Sequence, residues 1–142
     1  MDKVAIVTGG AKGIGLGSAQ RLLEDGARVT IFDLDEAAIA NAEKELLSYG
    51  EKFAAVKVDI SSDAQVKKAV TDVGAKNGRI NYLVNSAGIQ TYGRAEDTSE
   101  ELWDKTLGVN VKAMYLTARY AIPFMRKAGG GSIVNISSVQ AL

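Results

Sequence analysis

Short apolar runs alternate along this chain with longer stretches of helical periodicity. Five segments have the length and composition of strands in a parallel sheet covered on both faces: residues 4–7, 29–32, 53–58, 80–84 and 132–136. Between them, apolar residues recur as they do on one face of a helix. The alternation of strands and helices predicts a three-layered α/β fold with a doubly wound parallel sheet of Rossmann type, in the strand order 3-2-1-4-5.

Polar residues placed just before the helical periodicity mark where helices begin. Asp35 has the position of an N-cap for a helix over residues 37–47. Ser62 with Gln65, and Thr98 with Glu101, have the spacing of capping boxes, in which a side chain three residues into the helix reaches back to the cap. These pairs predict helices that begin directly after Ser62 and directly after Thr98.

The helix predicted from Ser99 to about Arg126 carries apolar residues on more than one face. Gly108 and Asn110 lie within it, and both residue types are poor helix formers, so a local break or kink is expected there. The width of the apolar surface indicates packing against the sheet and against a second body. That body is either a partner subunit or another part of the same chain.

The first apolar run leads into a glycine-rich turn, Thr8-Gly9-x-x-x-Gly13-x-Gly15, and then into a helix that ends near Gly26. At such a helix N-terminus, unpaired N–H groups and the positive end of the helix dipole favour an anion. Glycines let a pyrophosphate approach the backbone, because a β-carbon would occupy the space. The turn therefore predicts a dinucleotide site, with an unliganded strand-to-helix turn as the alternative.

Composition narrows the chemistry open to this chain. Acidic and basic residues balance at 17 each without runs of like charge, so neither nucleic acid nor an anionic membrane is expected as a partner. The absence of cysteine and histidine excludes disulfides, thiolate nucleophiles, the commonest zinc sites and Ser-His-Asp catalysis. No metal site is predicted. No apolar run approaches the ~18 residues of a membrane span, and a single cytoplasmic domain over residues 1–142 is expected.

The glycine-rich turn, this close to the N-terminus, resembles that of the short-chain dehydrogenase/reductase family. Further motifs follow the later strands: Asp33-Leu34, Asp59-Ile60 and Asn85-Ser86-Ala87-Gly88, the last in place of the family's Asn-Asn-Ala-Gly. The resemblance implies a set of residues that bind a nicotinamide dinucleotide: Thr8, Gly9, Lys12, Gly13, Ile14, Gly15, Asp33, Leu34, Asp59, Ile60, Asn85, Ala87 and Gly88.

Several of these positions keep a structural alternative. In the family, Asp59 and Ile60 would flank the adenine ring; the alternative is that Asp59 ends a strand and Ile60 packs in the core. Asn85 is expected to tie neighbouring strand ends together more than to contact the cofactor. Ser86 departs from the family's second asparagine but keeps a small polar side chain at this place.

Asp33 favours NAD over NADP. It lies 18 residues after Gly15, close to the ~20 expected for the acid that accepts hydrogen bonds from the adenosine ribose. The alternative is a turn residue that closes the strand. A carboxylate here would repel a 2′-phosphate. Lys12 argues the other way, because family members that use NADP often have a basic residue at this place. The charge at the ribose outweighs a flexible lysine, so NAD is predicted, with NADP less favoured.

The resemblance also places two catalytic residues in the chain. Asn110 has the position of the family's asparagine, whose main-chain carbonyl holds a water in a proton relay. Ser138 has the position of the serine that hydrogen-bonds the substrate carbonyl or hydroxyl. Taken alone, an asparagine within a helix would be a solvated residue, and two serines after a strand would be turn residues.

The family's base, the tyrosine of a Tyr-x-x-x-Lys motif, is absent from this sequence. None of the five tyrosines has a lysine four residues later, and Tyr115 with Arg119 comes closest. A tyrosine with a pKa near 10 acts as a base at neutral pH only beside a cation that stabilises its phenolate. The resemblance therefore implies the cofactor-binding portion of a longer enzyme, nearly inert alone, whose fifth strand would be an apolar edge prone to association.

The function implied for the whole enzyme is NAD-dependent interconversion of a secondary alcohol and a ketone, with a small-molecule alcohol or ketone as the substrate. A homo-oligomer formed through the helix over residues 99–126 is expected. Two alternatives remain open. One is a dinucleotide-binding module or truncated fragment without catalysis, and the other is a different Rossmann-like enzyme such as a methyltransferase.

Overall fold

The computed structural model of the chain describes residues 3–138, which form a single parallel sheet with helices on both faces. The strands are β1 (Val4–Thr8), β2 (Arg28–Asp33), β3 (Phe53–Lys57), β4 (Tyr82–Asn85) and β5 (Ser132–Asn135). They pair in the order β3-β2-β1-β4-β5. The predicted strand order and the Rossmann-type fold are therefore confirmed.

Seven helical segments connect the strands within the described residues. They are α1 (Gly13–Glu24), α2 (Glu36–Glu45), a 3₁₀ helix (Leu47–Lys52), α3 (Asp63–Asn77), α4 (Glu100–Leu107), a π-helical segment (Gly108–Lys112) and α5 (Ala113–Lys127). The helical region predicted over residues 99–126 is therefore found, as three contiguous segments from Glu100 to Lys127. The break expected near Asn110 takes the form of a π-helical segment, in which the regular backbone hydrogen-bond register is interrupted.

Two of the predicted helix caps form largely as expected. The Asp35 carboxylate accepts a hydrogen bond from the Ala38 N–H at 3.0 Å and caps α2. The Ser62 hydroxyl accepts from the Gln65 N–H at 3.5 Å and caps α3. The second half of that capping box is wrong, because the Gln65 side chain accepts from the N–H of Asp59 instead.

The third cap was predicted one residue too early. Ser99, not Thr98, caps α4, and its hydroxyl accepts from the Leu102 N–H at 3.2 Å. The Thr98 hydroxyl instead donates to the carbonyl of Arg94 at 2.7 Å. Because the cap shifts by one residue, Glu101 no longer stands at the third helical position that a capping box requires.

The central strand β1 separates two hydrophobic cores. Val4 and Ile6 face a core built with α3 and α5, whereas Ala5 and Val7 face a core built with α1 and α2. Successive side chains of a strand point to opposite faces of the sheet, so one short apolar run supplies both cores. This double burial is why the segment lacks an alternating polar pattern.

The strand β5 lies at an edge of the sheet, in contrast to the central strand β1. Each of its residues is exposed, including Ile133 at 37% and Val134 at 49% of their maximal surface. The expectation that the fifth strand presents an apolar edge is confirmed for the described residues. Association through that edge stays a prediction.

Candidate functional site

An open cavity of about 710 Å³ lies at the carboxyl ends of the central strands. The parallel register brings these ends together, because Thr8 pairs with Phe32 of β2 on one side and with Asn85 of β4 on the other. In doubly wound sheets this crevice, where the strand order reverses, is the general place for a ligand. The cavity is also within the usual size range of ligand pockets, about 300–1,000 Å³.

Most of the predicted cofactor-binding residues line this cavity. They are Gly9, Lys12, Ile14, Asp33, Leu34, Asp59, Ile60, Ala87 and Gly88. Thr8, Gly13, Gly15, Asn85, Asn110 and Ser138 are not part of its lining. Several of the residues outside the lining hold the cavity walls in position through their hydrogen bonds and packing contacts.

The glycine-rich turn is packed so closely that side chains are excluded from it. A β-carbon on Gly15 would collide with the carbonyl oxygen of Gly9. A β-carbon on Gly9 would lie 2.7 Å from the Cα of Ala87, across the gap between β1 and β4. Gly13 differs, since it has a φ of +57° and no atom within 4 Å of where its β-carbon would stand. The turn thus leaves open backbone at the start of α1, as the approach of a pyrophosphate requires.

Thr8 joins the ends of β1 and β4 from within the sheet. It is buried, and its hydroxyl oxygen accepts hydrogen bonds from the N–H groups of Ser86 at 3.2 Å and Ala87 at 3.3 Å. Its position in the motif therefore has a structural purpose: it fixes the loop after β4, which forms one wall of the cavity.

Asn85 connects three elements below the cavity. Its amide donates to the Asn135 side chain of β5 at 2.8 Å, and its amide oxygen accepts from the Thr117 hydroxyl of α5 at 2.8 Å. The prediction that Asn85 ties strand ends together is confirmed. Both atoms of its side-chain amide are engaged within the protein, which supports a positioning role.

The carboxylate of Asp33 is oriented by three backbone N–H groups. One oxygen accepts from Leu34 at 2.8 Å and Asp35 at 3.1 Å, and the other accepts from Ala11 of the glycine-rich turn at 3.1 Å. A carboxylate has about four acceptor positions. An acceptor position therefore remains on the oxygen that bonds Ala11 of the turn, and Asp33 is one of the residues that line the cavity.

Lys12 and Asp35 form an ion pair at this end of the cavity, with 3.1 Å between the ammonium nitrogen and a carboxylate oxygen. Both residues line the cavity. The Ala38 N–H, and after it the Lys12 ammonium, hold the pKa of the Asp35 carboxyl below its ordinary value. Lys12 is therefore paired within the protein, which its sequence position did not reveal.

Asp59 and Ile60 have the structural contacts that the sequence left open as the alternative, and their contact with an adenine ring stays a prediction. An oxygen of the Asp59 carboxylate accepts from both the N–H and the hydroxyl of Ser61, at 2.9 and 2.6 Å, and so closes the turn after β3. Ile60 is buried in the core. Both residues nevertheless contribute to the cavity lining.

Asn110 fixes the cavity wall through its side chain. The N–H of Ile89 donates to its amide oxygen at 2.8 Å, and its amide nitrogen donates to the Ile89 carbonyl at 2.9 Å. A β-carbon on Gly88 would already lie 3.4 Å from that amide oxygen. The side chain is thus engaged in holding the loop after β4. The role that the family resemblance gives to the main-chain carbonyl of Asn110 stays a prediction.

Ser138 lies just beyond the described wall of the cavity. The N–H of Ile136 donates to the Asn85 carbonyl at 2.9 Å and continues the pairing of β5 with β4, and Ile136 lines the cavity. Ser138 follows two residues later and is exposed. The structure therefore does not bring it into the lining with Asp33 and the glycine-rich turn.

Sequence reasoning missed several residues that complete the lining. They are Phe32, Asp35, Val58, Ser61, Ser86, Ile89, Lys105, Val109 and Ile136. Lys105 and Val109 are one helical turn apart, so assigning one of them to the cavity would have indicated the other as well. Nothing local shows that this helix reaches the cavity, because that contact depends on how the chain crosses the sheet.

Residues 3–138 contain no group of three or more Asp, Glu, His or Cys side chains that could hold a metal ion. Across the same span, no helix has both the length and the apolar character needed to cross a membrane.

The family model described as short chain dehydrogenase matches residues 3–142. An uncharacterized oxidoreductase of Thermotoga maritima is 43% identical over 142 residues, covering 99% of this chain and 55% of that protein. A cyclopentanol dehydrogenase of a Comamonas species is 39% identical over 141 residues, covering 99% and 56%. An NAD-dependent glycerol dehydrogenase of Listeria innocua is 39% identical over 142 residues, covering 96% and 53%.

Solved structures agree with these relatives. The crystal structure of gox2181 superposes with a TM-score of 0.91 at 37% identity, covering 99% of this chain and 55% of that one. A metagenomic short-chain oxidoreductase in complex with NADP gives 0.91 at 36% identity, covering 96% and 62%. The chain spans about half the length of the curated relatives it matches.

Proposed function

This chain belongs to the short-chain dehydrogenase family, and we propose that it is the cofactor-binding part of an NAD-dependent oxidoreductase that interconverts a secondary alcohol and a ketone. The observation that carries the proposal is the Asp33 carboxylate, which three backbone N–H groups hold beside the glycine-rich turn. The family match leaves the methyltransferase alternative without support.

The residues present fit a nicotinamide dinucleotide. Gly13 offers backbone with no atom where a β-carbon would be, at the N-terminus of α1, and would hold the pyrophosphate. Asp33 would accept hydrogen bonds from the adenosine ribose. Asp59 and Ile60 would flank the adenine from the cavity wall. When bound, the dinucleotide supplies the hydride donor or acceptor, and the protein supplies orientation and electrostatics.

Preference for NAD rests on charge. A 2′-phosphate beside Asp33 would place like charges close together, whereas a free ribose hydroxyl is a donor that the carboxylate can accept. The relatives do not decide the matter: one is named an NAD-dependent dehydrogenase, and one related structure holds NADP. The proposal therefore depends on this chain's own carboxylate.

The proton path would use two residues outside the cavity lining. The main-chain carbonyl of Asn110 would hold a water of the relay, and Ser138 would orient the substrate oxygen. The tyrosine and lysine of the family's Tyr-x-x-x-Lys motif are not in this sequence, so we assign the base to a portion of the enzyme outside it. Without general acid–base assistance, worth about 10²–10⁴-fold, the 142-residue chain would be nearly inert.

Nucleotide titration tests the binding half of this proposal. We expect NADH fluorescence to report saturable binding, and Asp33→Asn to weaken NADH binding by roughly ten- to a hundredfold, since a hydrogen bond to a charged group is worth about 1.5–3 kcal/mol. NADPH binding should instead tighten, because the charge that repels its 2′-phosphate is removed, so the ratio of the two affinities is the readout. Asp72→Asn, which removes an exposed carboxylate on α3 outside the cavity, is the matched control.

Turnover tests the catalytic half. A secondary alcohol is offered with NAD to the 142-residue chain and to a longer protein that contains a Tyr-x-x-x-Lys segment. We expect oxidation only from the longer protein. Activity from the 142-residue chain would refute the assignment of the base. A longer protein that binds NADH but never turns over would favour the non-catalytic module instead.

We also propose that the enzyme is a homo-oligomer through α4 and α5. Trp103, Leu107, Val111 and Tyr115 follow one another at intervals of four residues and are all exposed, which forms an apolar stripe along this helical region. Sedimentation velocity of Val111→Glu should show a lower mass than the unmodified protein. Leu47→Glu, at an exposed leucine of the 3₁₀ helix, is the control and should leave the mass unchanged.

A further inference from the structure

We propose that Asp35 is a second determinant of cofactor choice, because it holds Lys12 in an ion pair and so withholds that cation from a 2′-phosphate. The inference rests on the proposed nucleotide site. It assigns to Asp35 a positioning role that acts through Lys12, in addition to the cap that Asp35 provides for α2.

The ion pair bridges the two loops that form this end of the cavity. Lys12 is the residue that precedes α1, and Asp35 is the residue that precedes α2. Their side chains meet at 3.1 Å, and both line the cavity together with Asp33 and Leu34. A ligand group that reaches the Asp33 carboxylate therefore also comes close to the Lys12–Asp35 pair.

The net charge at the Lys12–Asp35 pair determines whether this end of the cavity favours a ligand with a phosphate or one with a free hydroxyl. Lys12 alone, next to the N-terminus of α1, would add a cation to a region already favourable for anions. Asp35 neutralises that cation and leaves the Asp33 carboxylate as the unbalanced charge. The three side chains together therefore present a net negative charge to the ribose, which suits a free hydroxyl and disfavours a phosphate.

Exposure limits the size of the effect. The side chains of Lys12 and Asp35 are 70% and 46% exposed, and exposed ion pairs are weak and screened by salt. A phosphate could therefore compete for Lys12, and Asp35 adjusts the preference rather than imposing it. Removing Asp35's charge should shift the affinity for a 2′-phosphorylated nucleotide by about three- to tenfold, a range that starts within the strength of exposed ion pairs and ends slightly above it.

Asp35→Asn isolates the charge from the cap. Asparagine is as good an N-cap as aspartate, so the hydrogen bond from the Ala38 N–H can be kept while the ion pair is lost. As a single substitution, Asp35→Asn should tighten NADPH binding about three- to tenfold and change NADH binding by less than about twofold. Adding Lys12→Gln to Asp35→Asn should cancel the gain, because the released cation is then absent.

Asp25→Asn is the matched control. Asp25 is also exposed and forms an ion pair, with Arg21 at 2.8 Å, but it lies at the other end of α1 and outside the cavity lining. It should leave the ratio of NADH to NADPH affinity unchanged. Raising the salt concentration should shrink the effect of Asp35→Asn, as expected for an exposed charge.

The outcomes separate the inference from the function on which it rests. If the unmodified chain binds neither nucleotide, the proposed function fails and this inference fails with it. If NADH binds but Asp35→Asn leaves the affinity ratio unchanged, only the inference is overturned. If the double variant keeps the gain in NADPH affinity, the role of Lys12 is refuted, and the effect is general charge repulsion.

Discussion

The strands β1 and β5 belong to the same parallel sheet, yet every residue of β1 is buried and every residue of β5 is exposed. A strand of a parallel sheet needs cover on both faces. β1 has that cover from α1 and α2 on one side and from α3 and α5 on the other. β5 lacks it within the residues that the structure describes.

This contrast divides the proposed functions between two regions. The region around β1 and β2 orients the glycine-rich turn and Asp33 with contacts that are complete within the described chain. The region around β5 carries Ser138, which lies outside the cavity lining and follows an exposed strand. Nucleotide binding should therefore be a property of this chain, whereas catalysis should depend on whatever covers β5.

The largest expected effect comes from adding a side chain to the glycine-rich turn, in the region around β1 and β2. In Gly15→Ala the new β-carbon would collide with the carbonyl of Gly9, so the turn must shift, at a cost of about 1–3 kcal/mol or more in the free energy of unfolding. Thermal denaturation should show a fall of several degrees, and NADH affinity should fall with it.

Gly17→Ala provides the comparison for this change. Gly17 is in the same helix, but its β-carbon would meet nothing within 4 Å. Alanine there should raise stability by about 0.5–1 kcal/mol, since it is the better helix former. Equal losses from the two variants would show that the loss does not come from the contact of position 15 with Gly9, and the close packing of the turn would be refuted.

A matched pair of substitutions tests the contrast directly. Val7→Thr in β1 would bury a hydroxyl in the core and should cost about 1–3 kcal/mol in the free energy of unfolding. Val134→Thr in β5 makes the same change at a residue that is 49% exposed, and should stay within about 0.5 kcal/mol of the unmodified protein. Chemical denaturation measures both. A large loss from Val134→Thr would mean that β5 is covered in solution.

The parts of the fold that follow from local pattern were predictable from the sequence. The order of the strands follows from their alternation with helices, because right-handed crossovers leave few arrangements. The closest contact of the glycine-rich turn is also local, since it joins Gly15 and Gly9 of one short segment, whereas the contact of Gly9 with Ala87 crosses to the loop after β4. Asp33 was found from its spacing after that turn and does lie in the cavity.

Choices between neighbouring residues were not predictable in the same way. Thr98 and Ser99 are both good caps, and the sequence favoured Thr98 because Glu101 completes a capping box. The structure uses Ser99, since the Thr98 hydroxyl is engaged by the Arg94 carbonyl in the preceding turn. The decision depends on how the loop before α4 folds, which the spacing alone does not contain.

Contacts between distant segments were the least predictable. Lys12 and Asp35 are 23 residues apart and separated by a helix and a strand, so their ion pair exists only because two strand ends lie side by side. The same is true of Lys105, which reaches the cavity from α4. The sequence shows that these residues are charged, but only the register of the sheet shows that they lie close to one another or to the cavity.

A smaller effect should come from the wall that joins the two regions. Asn110→Ala removes two hydrogen bonds with the backbone of Ile89, and should cost about 1–2 kcal/mol in the free energy of unfolding. NADH affinity should fall by only a fewfold, because the Asp33 end of the cavity keeps its contacts. Asn77→Ala, which removes one bond to the Val73 carbonyl within α3, should cost less. A complete loss of NADH binding in Asn110→Ala would show that the regions are not separable.

The smallest expected effect is a difference in pH response between Asp35, which lines the cavity, and Tyr120, whose hydroxyl joins α5 to α3, because the pKa of each is shifted. In the first region, the Ala38 N–H and then Lys12 lower the pKa of Asp35, so its stabilising contribution is present above the ordinary value of 3.8 and is lost as the pH falls through the lower folded value. On the face of the sheet that α3 and α5 cover, the hydrogen bond that Tyr120 donates to Asp63, followed by desolvation, raises the pKa of Tyr120. The unfolded chain then releases the tyrosine proton first, so that contribution is present below pH 10.0 and is lost as the pH rises towards the folded value.

Urea denaturation at several pH values should show that Asp35→Asn flattens the acid side of the stability profile alone and Tyr120→Phe the alkaline side alone. If either variant flattens both sides, the two groups are coupled through the sheet, and the regions act as one.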